Sequence, residues 1–199
     1  MVVAQTQVKR ASRMAMGLPC GRRVPRGSER WYLLRVREGA EDATCEKLLR
    51  LTPRDILTDC FCIKKERWFK RGGAWSLQTI PAYRGYAFAV TADPAALYKQ
   101  LAGTNTHAEL CGADGRAWMP LSPAAQTWFA HSMDERHVLR GSTAVIEDGI
   151  LHVTEGPLMG QEAHVRDVDR HRRRCMVDVG DSALGGFSEL MAIDVPIKT

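Results

Sequence analysis

Hydrophobic runs that alternate with polar residues predict five strands in the first two thirds of the chain. The run WYLLRV at residues 31–36 is aromatic and aliphatic and predicts a buried strand. Two strand-like runs, CFCIKKERWFKR and AWSLQTI, flank Gly72-Gly73 and predict a long basic hairpin. YRGYAFAV at residues 83–90 predicts another aromatic strand, and HAELC at residues 107–111 predicts a short one.

Three segments between these strands carry helical signals. GAEDATCEKLLRL at residues 39–51 is acidic near its start and basic near its end, which suits the helix dipole. DPAALYKQL and SPAAQTWFAHSM each open with an N-cap residue, Asp93 or Ser122, followed by proline at the first helical position. Helices interspersed among these strands predict an α+β fold, a mixed sheet with helices packed on it.

Beyond residue 138 the pattern predicts only short strands. They are STAVI, ILHVT, AHVRDV, CMVDV and ELMAIDV, separated by glycine or charged turns. Five short strands in about 60 residues predict a small β-barrel. We therefore divide the chain into a basic tail at residues 1–29, an α+β domain at 30–137 and a β-barrel domain at 138–199.

One stretch of the predicted barrel is unusual. Gly156 and Gly160 bracket a turn that contains a proline, which fixes one backbone angle. Val165 and Val168 are three positions apart, which breaks the two-residue strand period and indicates a β-bulge. Four arginines and a histidine then occupy Arg170–Arg174, which we place at the tip of a hairpin.

The net charge of +5 is unevenly distributed along the 199 residues. Residues 1–29 hold six Lys or Arg and one Glu, whereas residues 138–199 hold seven basic and ten acidic residues. The tail lacks strand or helix periodicity, so we predict that it is disordered. It either contacts an acidic polymer, is simply solvated, or lies upstream of a true start at Met14 or Met16. Neither an apolar membrane-spanning run nor a signal sequence is recognisable, so we expect a cytoplasmic protein without membrane contact.

The sequence offers little support for catalysis or metal binding. Its six cysteines include no C-x-x-C pair, and its six histidines have no metal-ligand spacing. Cys60 and Cys62 point to the same side of a strand, and we expect the thiols to be free and largely buried. No phosphate-cradling glycine loop or nucleophile elbow is present. We therefore expect a protein that is not an enzyme and that needs no cofactor.

The order of these segments resembles the NusG family of transcription elongation factors. The matching pieces are RWYLLRV, AYRGYAFAV and VTEGPLMGQEAHVRDVDRHRRRCMVDV, and the resemblance covers residues 30 to about 195. It implies an N-terminal NGN domain of mixed sheet and flanking helices, followed by an SH3-like KOW β-barrel. Ribosomal proteins also use KOW motifs, so a ribosomal or general RNA-binding protein is the alternative.

Family members bind the two clamp helices of the largest RNA polymerase subunit through an apolar concavity. The matching positions here are Trp31, Tyr83, Arg84, Tyr86 and Phe88, with Leu110 at the rim of the concavity. Tyrosine rings suit such a face, because they can be buried on a partner and still tolerate water when alone. Trp31 and Phe88 could equally be ordinary core residues.

The basic stretch suggests nucleic-acid contact in the second domain. The candidate RNA-binding residues are Arg166, Arg170, His171, Arg172, Arg173 and Arg174. They form either a solvated turn or a phosphate-binding tip, and in the second case a nascent RNA hairpin is the expected ligand. Charge reversal at Arg172 and Arg173 should then lower RNA affinity at least about tenfold.

A third surface is implied by specialised relatives that hold the non-template DNA strand. Tyr98, Lys99 and Gln100 occupy the matching positions and offer a ring, a cation and an amide. These residues are equally ordinary on a solvated helix. The cations of the predicted hairpin could extend the electrostatic reach toward duplex DNA.

The loop Asp178–Gly186 lacks the phenylalanine and arginine with which housekeeping members contact ribosomal protein S10 or termination factor Rho. This puts both contacts in doubt. The basic tip instead resembles the LoaP-type paralogs, which promote processive antitermination, so we favour that group over a housekeeping pausing and termination factor. Relatives that refold the barrel as a helical hairpin find little support in the β-branched residues of 145–195. We expect a monomer.

Overall fold

The computed structural model describes residues 29–112, 118–180 and 186–196. Over these residues the chain is a mixed α+β protein with three α-helices and three sheets. The disorder predicted for residues 1–29 therefore lies outside the described residues, apart from Glu29. None of the helices in the described ranges is both long enough and apolar enough to cross a membrane.

The elements follow one another in the order that the sequence predicts, with extra breaks between strands. They are β1 (Arg30–Arg35), α1 (Glu41–Leu51), β2 (Asp59–Phe61), β3 (Lys64–Arg71), β4 (Ala74–Pro81), β5 (Tyr86–Thr91), α2 (Pro94–Ala102), β6 (Glu109–Leu110), α3 (Pro123–Ser132), β7 (Val138–Leu139), β8 (Ser142–Glu147), β9 (Ile150–Glu155), a 3-10 turn (Glu162–His164), β10 (Val165–Asp169), β11 (Arg174–Val179) and β12 (Phe187–Asp194). Both predicted N-caps are confirmed, since the Asp93 carboxylate accepts from two backbone N–H groups and the Ser122 hydroxyl accepts from one.

The first sheet is antiparallel, with the strand order β2-β5-β1-β6. Its two faces carry different residues because side chains alternate along each strand. The helix face, which includes Tyr32, Leu34, Ala87 and Ala89, packs on α1 and α2. The aromatic face consists of Trp31, Leu33, Phe61, Phe88 and Val90.

The predicted basic hairpin forms a second sheet with the order β4-β3-β7. Gly72 and Gly73 both have positive φ, +57° and +83°, as the tight turn of a hairpin requires. The sequence suggests one continuous run into this hairpin, but the structure breaks that run after Phe61. The chain changes sheets there, because β2 pairs with β5 whereas β3 pairs with β4 and, in parallel, with β7.

The five short strands predicted for the C-terminal region are confirmed as one sheet with the order β10-β11-β12-β8-β9. We call β8–β12 the C-terminal sheet and everything from β1 to β7 the N-terminal unit. The predicted domain boundary at residues 137 and 138 falls at the start of β7, a strand that pairs with the hairpin, and the C-terminal sheet begins at Ser142.

Local features of the C-terminal sheet follow from its residues. Cys175, Val177 and Val179 alternate into the core, as predicted. The predicted bulge is present as a shift in register between Arg166 and Asp169. Gly156 has a φ of +99°, and a Cβ there would lie 2.6 Å from the carbonyl oxygen of Gly141, just before β8. Only glycine therefore fits at this position.

The two parts of the molecule share one hydrophobic core. Trp31, Phe88 and Phe129 of the N-terminal unit lie in the same buried cluster as Val177 and Met191 of the C-terminal sheet. At the polar edge of this junction, the Glu66 carboxylate on β3 accepts from the backbone N–H of Gly141 and from the Arg140 guanidinium. The aromatic face is therefore covered from within the chain.

Candidate functional site

Trp31 and Phe88 belong to the core and do not line an open face. They are 2% and 3% exposed, and their rings pack at 6.5 Å between centroids. Phe61 stacks on Phe88 at 5.8 Å, and Phe129 of α3 lies 6.1 Å from Phe88. Of the two interpretations that the sequence leaves open for Trp31 and Phe88, the structure favours the core.

Tyr83 lies at the edge of the aromatic face, beneath the C-terminal sheet. Its hydroxyl donates to one oxygen of the buried Glu189 carboxylate, and the Lys65 ammonium lies 2.8 Å from the other oxygen. Burial raises the pKa of the Tyr83 phenol, and the charge and hydrogen bond of Glu189 raise it further. The three side chains fasten the two parts of the molecule together.

Tyr86 and Arg84 remain within reach of solvent. Tyr86 is half-buried, and it lies on the same face of β5 as Phe88 because the two are two residues apart. The exposed Arg84 guanidinium lies 3.5 Å from the Glu38 carboxylate. Leu110 does not join these residues. It pairs with Leu34 in the register of β6 and β1 and is buried on the helix face, so its predicted place at the rim of the aromatic face is wrong.

The predicted RNA-binding arginines are mostly paired with carboxylates. Arg166 forks onto Asp178 at 2.5 and 2.6 Å, while Arg172 and Arg174 lie 3.7 and 3.5 Å from Asp169. The backbone N–H of Arg172, together with both guanidiniums, holds the pKa of the Asp169 carboxyl below its usual range. The picture of an unpaired cationic tip therefore needs correction, because acidic neighbours on the same strands offset much of its charge.

The basic turn, residues 170–173 between β10 and β11, nevertheless keeps exposed cationic groups. Within the described part of the chain, Arg170 and His171 are exposed and have no carboxylate partner, and the Arg172 side chain is 69% exposed. Arg173 behaves differently. Its guanidinium is 3.2 Å from Asp194 and lies against two tryptophans of the hairpin.

The tryptophans Trp68 and Trp75 are the residues that the sequence interpretation missed. The Arg173 guanidinium carbon is 4.6 Å from the Trp68 ring centroid and 5.3 Å from that of Trp75. The pairing Lys70↔Trp75 and the two-residue period put both indoles on one side of the hairpin. The glycine turn sets the register of the hairpin, so the sequence could have predicted that the two tryptophans share a face. It could not have predicted their contact with Arg173, which comes from a distant part of the chain.

The third predicted surface is present on α2. Tyr98 is 48% exposed, and its ring lies 5.2 Å from that of Trp118. Lys99 is exposed, whereas Gln100 is half-buried and donates to the carbonyl oxygen of Leu51. A ring and a cation are thus open to a ligand, while the amide is partly engaged.

The five cysteines in the described ranges are free thiols, as predicted, while Cys20 lies outside those ranges. Cys45 and Cys62 approach to 3.4 Å between sulfurs, next to the buried Cys60. Hydrogen bonds with neighbouring thiols and burial raise the pKa of Cys45 and Cys62, and burial raises that of Cys175 to about 12. Among the described residues, no group of three or more His, Cys, Asp and Glu side chains could hold a metal ion.

No protein-family model matches this chain, and no curated protein matches it either.

Proposed function

We propose that this chain is a NusG-type transcription elongation factor. In this proposal the N-terminal unit is an NGN domain that binds the RNA polymerase clamp helices. The C-terminal sheet is an SH3-like KOW barrel that binds a nascent RNA hairpin, and the complex promotes processive antitermination. One observation carries the proposal: an aromatic sheet face in one unit adjoins a five-stranded unit with the Gly156 turn and the basic turn.

The polymerase-binding residues in this proposal are Tyr83 and Tyr86, with Arg84 reaching an acidic residue of the partner. Tyr86 and Arg84 are accessible, whereas Glu189 covers the Tyr83 hydroxyl. Full engagement of the clamp helices therefore requires the C-terminal sheet to move off Tyr83. A partner that binds only the opened form shifts the population toward it.

Two features reduce the cost of that movement. The Lys65–Glu189 ion pair is largely buried, and a buried pair gains little net stability because both charges lose water. The indole N–H of Trp128 is buried with no acceptor among the residues that the structure describes, although its ring touches Phe187 of the C-terminal sheet. A buried donor without a partner costs about 1–3 kcal/mol, part of which separation of the two units would recover.

Capture of RNA polymerase tests the proposal. Tagged full-length protein should retain core polymerase from purified components, and Tyr86→Ala should lower that capture at least about tenfold because the ring supplies interface area. Tyr98→Ala is the matched control, since Tyr98 is an exposed tyrosine on a different surface. Sedimentation with ribosomes and no capture of polymerase would support a ribosomal or general RNA-binding protein instead.

Opening of the aromatic face can be tested separately. Phe187→Ala combined with Glu189→Gln removes the ring stacked on Phe129 and the negative charge that binds the Tyr83 hydroxyl and the Lys65 ammonium. We expect this double variant to capture more polymerase than the wild type at equal concentration. Capture that is unchanged or weaker would show that the C-terminal sheet does not compete for this face.

The transcriptional outcome is a matter of differential affinity. If the protein binds active polymerase about 1.4 kcal/mol more tightly than the paused state, the ratio of the two changes tenfold.

The basic turn favours a LoaP-type antiterminator over a housekeeping factor. The composition of the loop at residues 178–186, of which 181–185 lie outside the described residues, argues against contacts with S10 or Rho. Single-round transcription with added protein should increase terminator read-through on a cognate template. Unchanged read-through and pause lifetimes would refute the antitermination activity.

The surface on α2 supplies the non-template DNA contact in this proposal. Tyr98 and Lys99 offer a stacking ring and a phosphate partner, while Gln100 contributes less because it is half-buried. No catalytic step or cofactor forms part of the proposal.

A further inference from the structure

A cleft of about 220 Å³ separates the β3–β4 hairpin from the basic turn. Trp68 and Trp75 line it on the hairpin side, and Arg172, Arg173 and Arg174 line it on the other. We call this the tryptophan cleft. Both indoles are only half-buried, so their rings are partly open to solvent beside a cluster of guanidiniums.

The cations around the tryptophan cleft differ in how far they are neutralised. Lys70 lies on the same face of the hairpin as Trp68 and Trp75, is exposed and has no carboxylate partner among the described residues, whereas Arg67 and Arg71 lie on the opposite face. The Lys70 ammonium lies over the Trp75 ring, 5.7 Å from its centroid. The hairpin thus combines unpaired positive charge with aromatic faces, whereas much of the charge beyond the cleft is already paired.

Arg173 marks the type of group that fits between the indoles. A guanidinium is flat and binds an aromatic face by stacking and by cation–π attraction. A nucleobase is also flat and stacks on indoles in the same way. The Asp194 pair that holds Arg173 is partly exposed, at 28% and 27% for the two side chains, so it does not lock the guanidinium in place.

We propose that the tryptophan cleft binds unpaired nucleotides of a single-stranded nucleic acid. One or two bases stack on Trp68 and Trp75, and Arg173 moves outward to contact the backbone. Lys70, on the same face as the two indoles, holds a phosphate on the hairpin side. This inference rests on the proposed function and adds a stacking site, shared between the two units, to the RNA contacts of the basic turn. RNA and DNA present the same stacking and phosphate chemistry, so the experiment must distinguish them.

The test measures binding of the full chain to labelled ten-nucleotide single strands of RNA and DNA and to a blunt RNA duplex. Single strands should bind and quench tryptophan fluorescence. Trp75→Ala should weaken single-strand binding about tenfold, while Trp75→Phe should retain most of it because a ring remains. Gln78→Ala is the matched control, since Gln78 is exposed on the opposite side of the same hairpin. Circular dichroism must show that the variants remain folded.

The outcomes separate this inference from the proposed function. Stronger binding of RNA would assign the cleft to the transcript, and stronger binding of DNA would assign it to the non-template strand. Equal binding by wild type, Trp75→Ala and Trp75→Phe, with a loss only on charge reversal at Arg170 and Arg172, would overturn the cleft and leave RNA binding by the basic turn intact. Duplex binding as tight as single-strand binding, without quenching, would also overturn it. Failure of polymerase capture would count against the proposed function alone.

Discussion

The helix face and the aromatic face belong to the same four-stranded sheet, but they are buried in different ways. The helix face is covered by α1 and α2, which lie between the strands on which they pack. The aromatic face is covered by α3 and by residues of the C-terminal sheet, and 106 positions separate Tyr83 from Glu189. The cover of the helix face belongs wholly to the N-terminal unit, whereas the cover of the aromatic face comes in part from the C-terminal sheet.

The difference shows how an apolar surface can be both core and candidate interface. The buried polar groups in the cover of the helix face, Glu41 and Thr44 of α1, form hydrogen bonds within the N-terminal unit, whereas the cover of the aromatic face includes a buried ion pair and a tyrosine hydrogen bond that join the two units. Polar groups at such a contact limit its net stability. A cover of this kind is better suited to removal than a purely apolar one.

The largest change in stability is expected from truncating Phe88 on the aromatic face or Leu48 of α1, which packs on the helix face. Phe88→Ala and Leu48→Ala should each lower the free energy of unfolding by about 2–5 kcal/mol, because both remove fully packed groups. Phe88→Ala should speed amide hydrogen exchange at Val177 more than Leu48→Ala does, since Phe88 shares a cluster with the C-terminal sheet. Equal effects of the two variants on Val177 would erase the distinction between the faces.

Asp134 tests the anchoring of α3 over the aromatic face. Its carboxylate accepts from the backbone N–H groups of Arg136 and Val138 and pairs with Arg140. Asp134→Asn should lower the free energy of unfolding by about 2 kcal/mol at neutral pH, measured by urea denaturation. Asp134→Glu is the control that keeps the charge.

The effect of Asp134→Asn should depend on pH. Burial alone would raise the pKa of the Asp134 carboxyl, but the hydrogen bonds from Val138 and Arg140 outweigh it and lower the pKa below its ordinary value of 3.8. Since the unfolded chain then binds more protons, the stabilisation is complete above pH 3.8 and is lost as the pH falls through the lower folded pKa. A difference between wild type and variant that persists unchanged at pH 2 would contradict this account.

Glu189→Gln sharpens the comparison at the contact with Tyr83. We expect the pKa of the Tyr83 phenol to fall, because the negative charge that opposes ionisation is removed. The pKa should still exceed its ordinary value, since burial is the largest cause of the shift. Spectrophotometric titration at alkaline pH, with Tyr83→Phe to assign the signal, measures this. No change in the phenol pKa would mean that the two units are apart in solution.

The smallest effect is expected for an exposed ion pair beside α1. Asp42 lies 2.8 Å from Lys64, and their side chains are 62% and 35% exposed. Asp42→Asn should lower the free energy of unfolding by less than about 1 kcal/mol, because water screens the pair. Thermal denaturation measures this change. A decrease in the free energy of unfolding as large as that of Leu48→Ala would mean that the packing of α1 on the helix face depends on charge more than on apolar contacts.

Local signals in the sequence were enough to predict most individual elements. The capping residues Asp93 and Ser122, the glycine turn at Gly72 and the bulge after Val165 all act within a few residues, and the structure confirms each of them. The five C-terminal strands were predicted for the same reason. The predicted position of Leu110 was wrong. A two-residue strand has too few residues to show an alternating pattern, so its pairing with β1 decides which face of the sheet Leu110 joins.

The candidate site was harder to predict than the elements. The sequence shows the number of arginines near the basic turn but not that Asp169, Asp178 and Asp194 sit beside them. It shows aromatic residues in two strands but not that one face is closed by Phe187 or that Arg173 reaches Trp68. Apart from the pairs that Asp169 makes with Arg172 and Arg174 a few residues on, these contacts join segments that are separated along the chain.

The amino-acid pattern alone therefore determined the α+β class, the order of strands and helices, and the tight turns, because backbone preferences and side-chain alternation act over short distances. Which charges are neutralised, which aromatic rings remain accessible and which unit covers Tyr83 were decided only by tertiary structure. Electrostatic pairing and burial depend on distances in space, and those distances are set when the C-terminal sheet packs on the N-terminal unit.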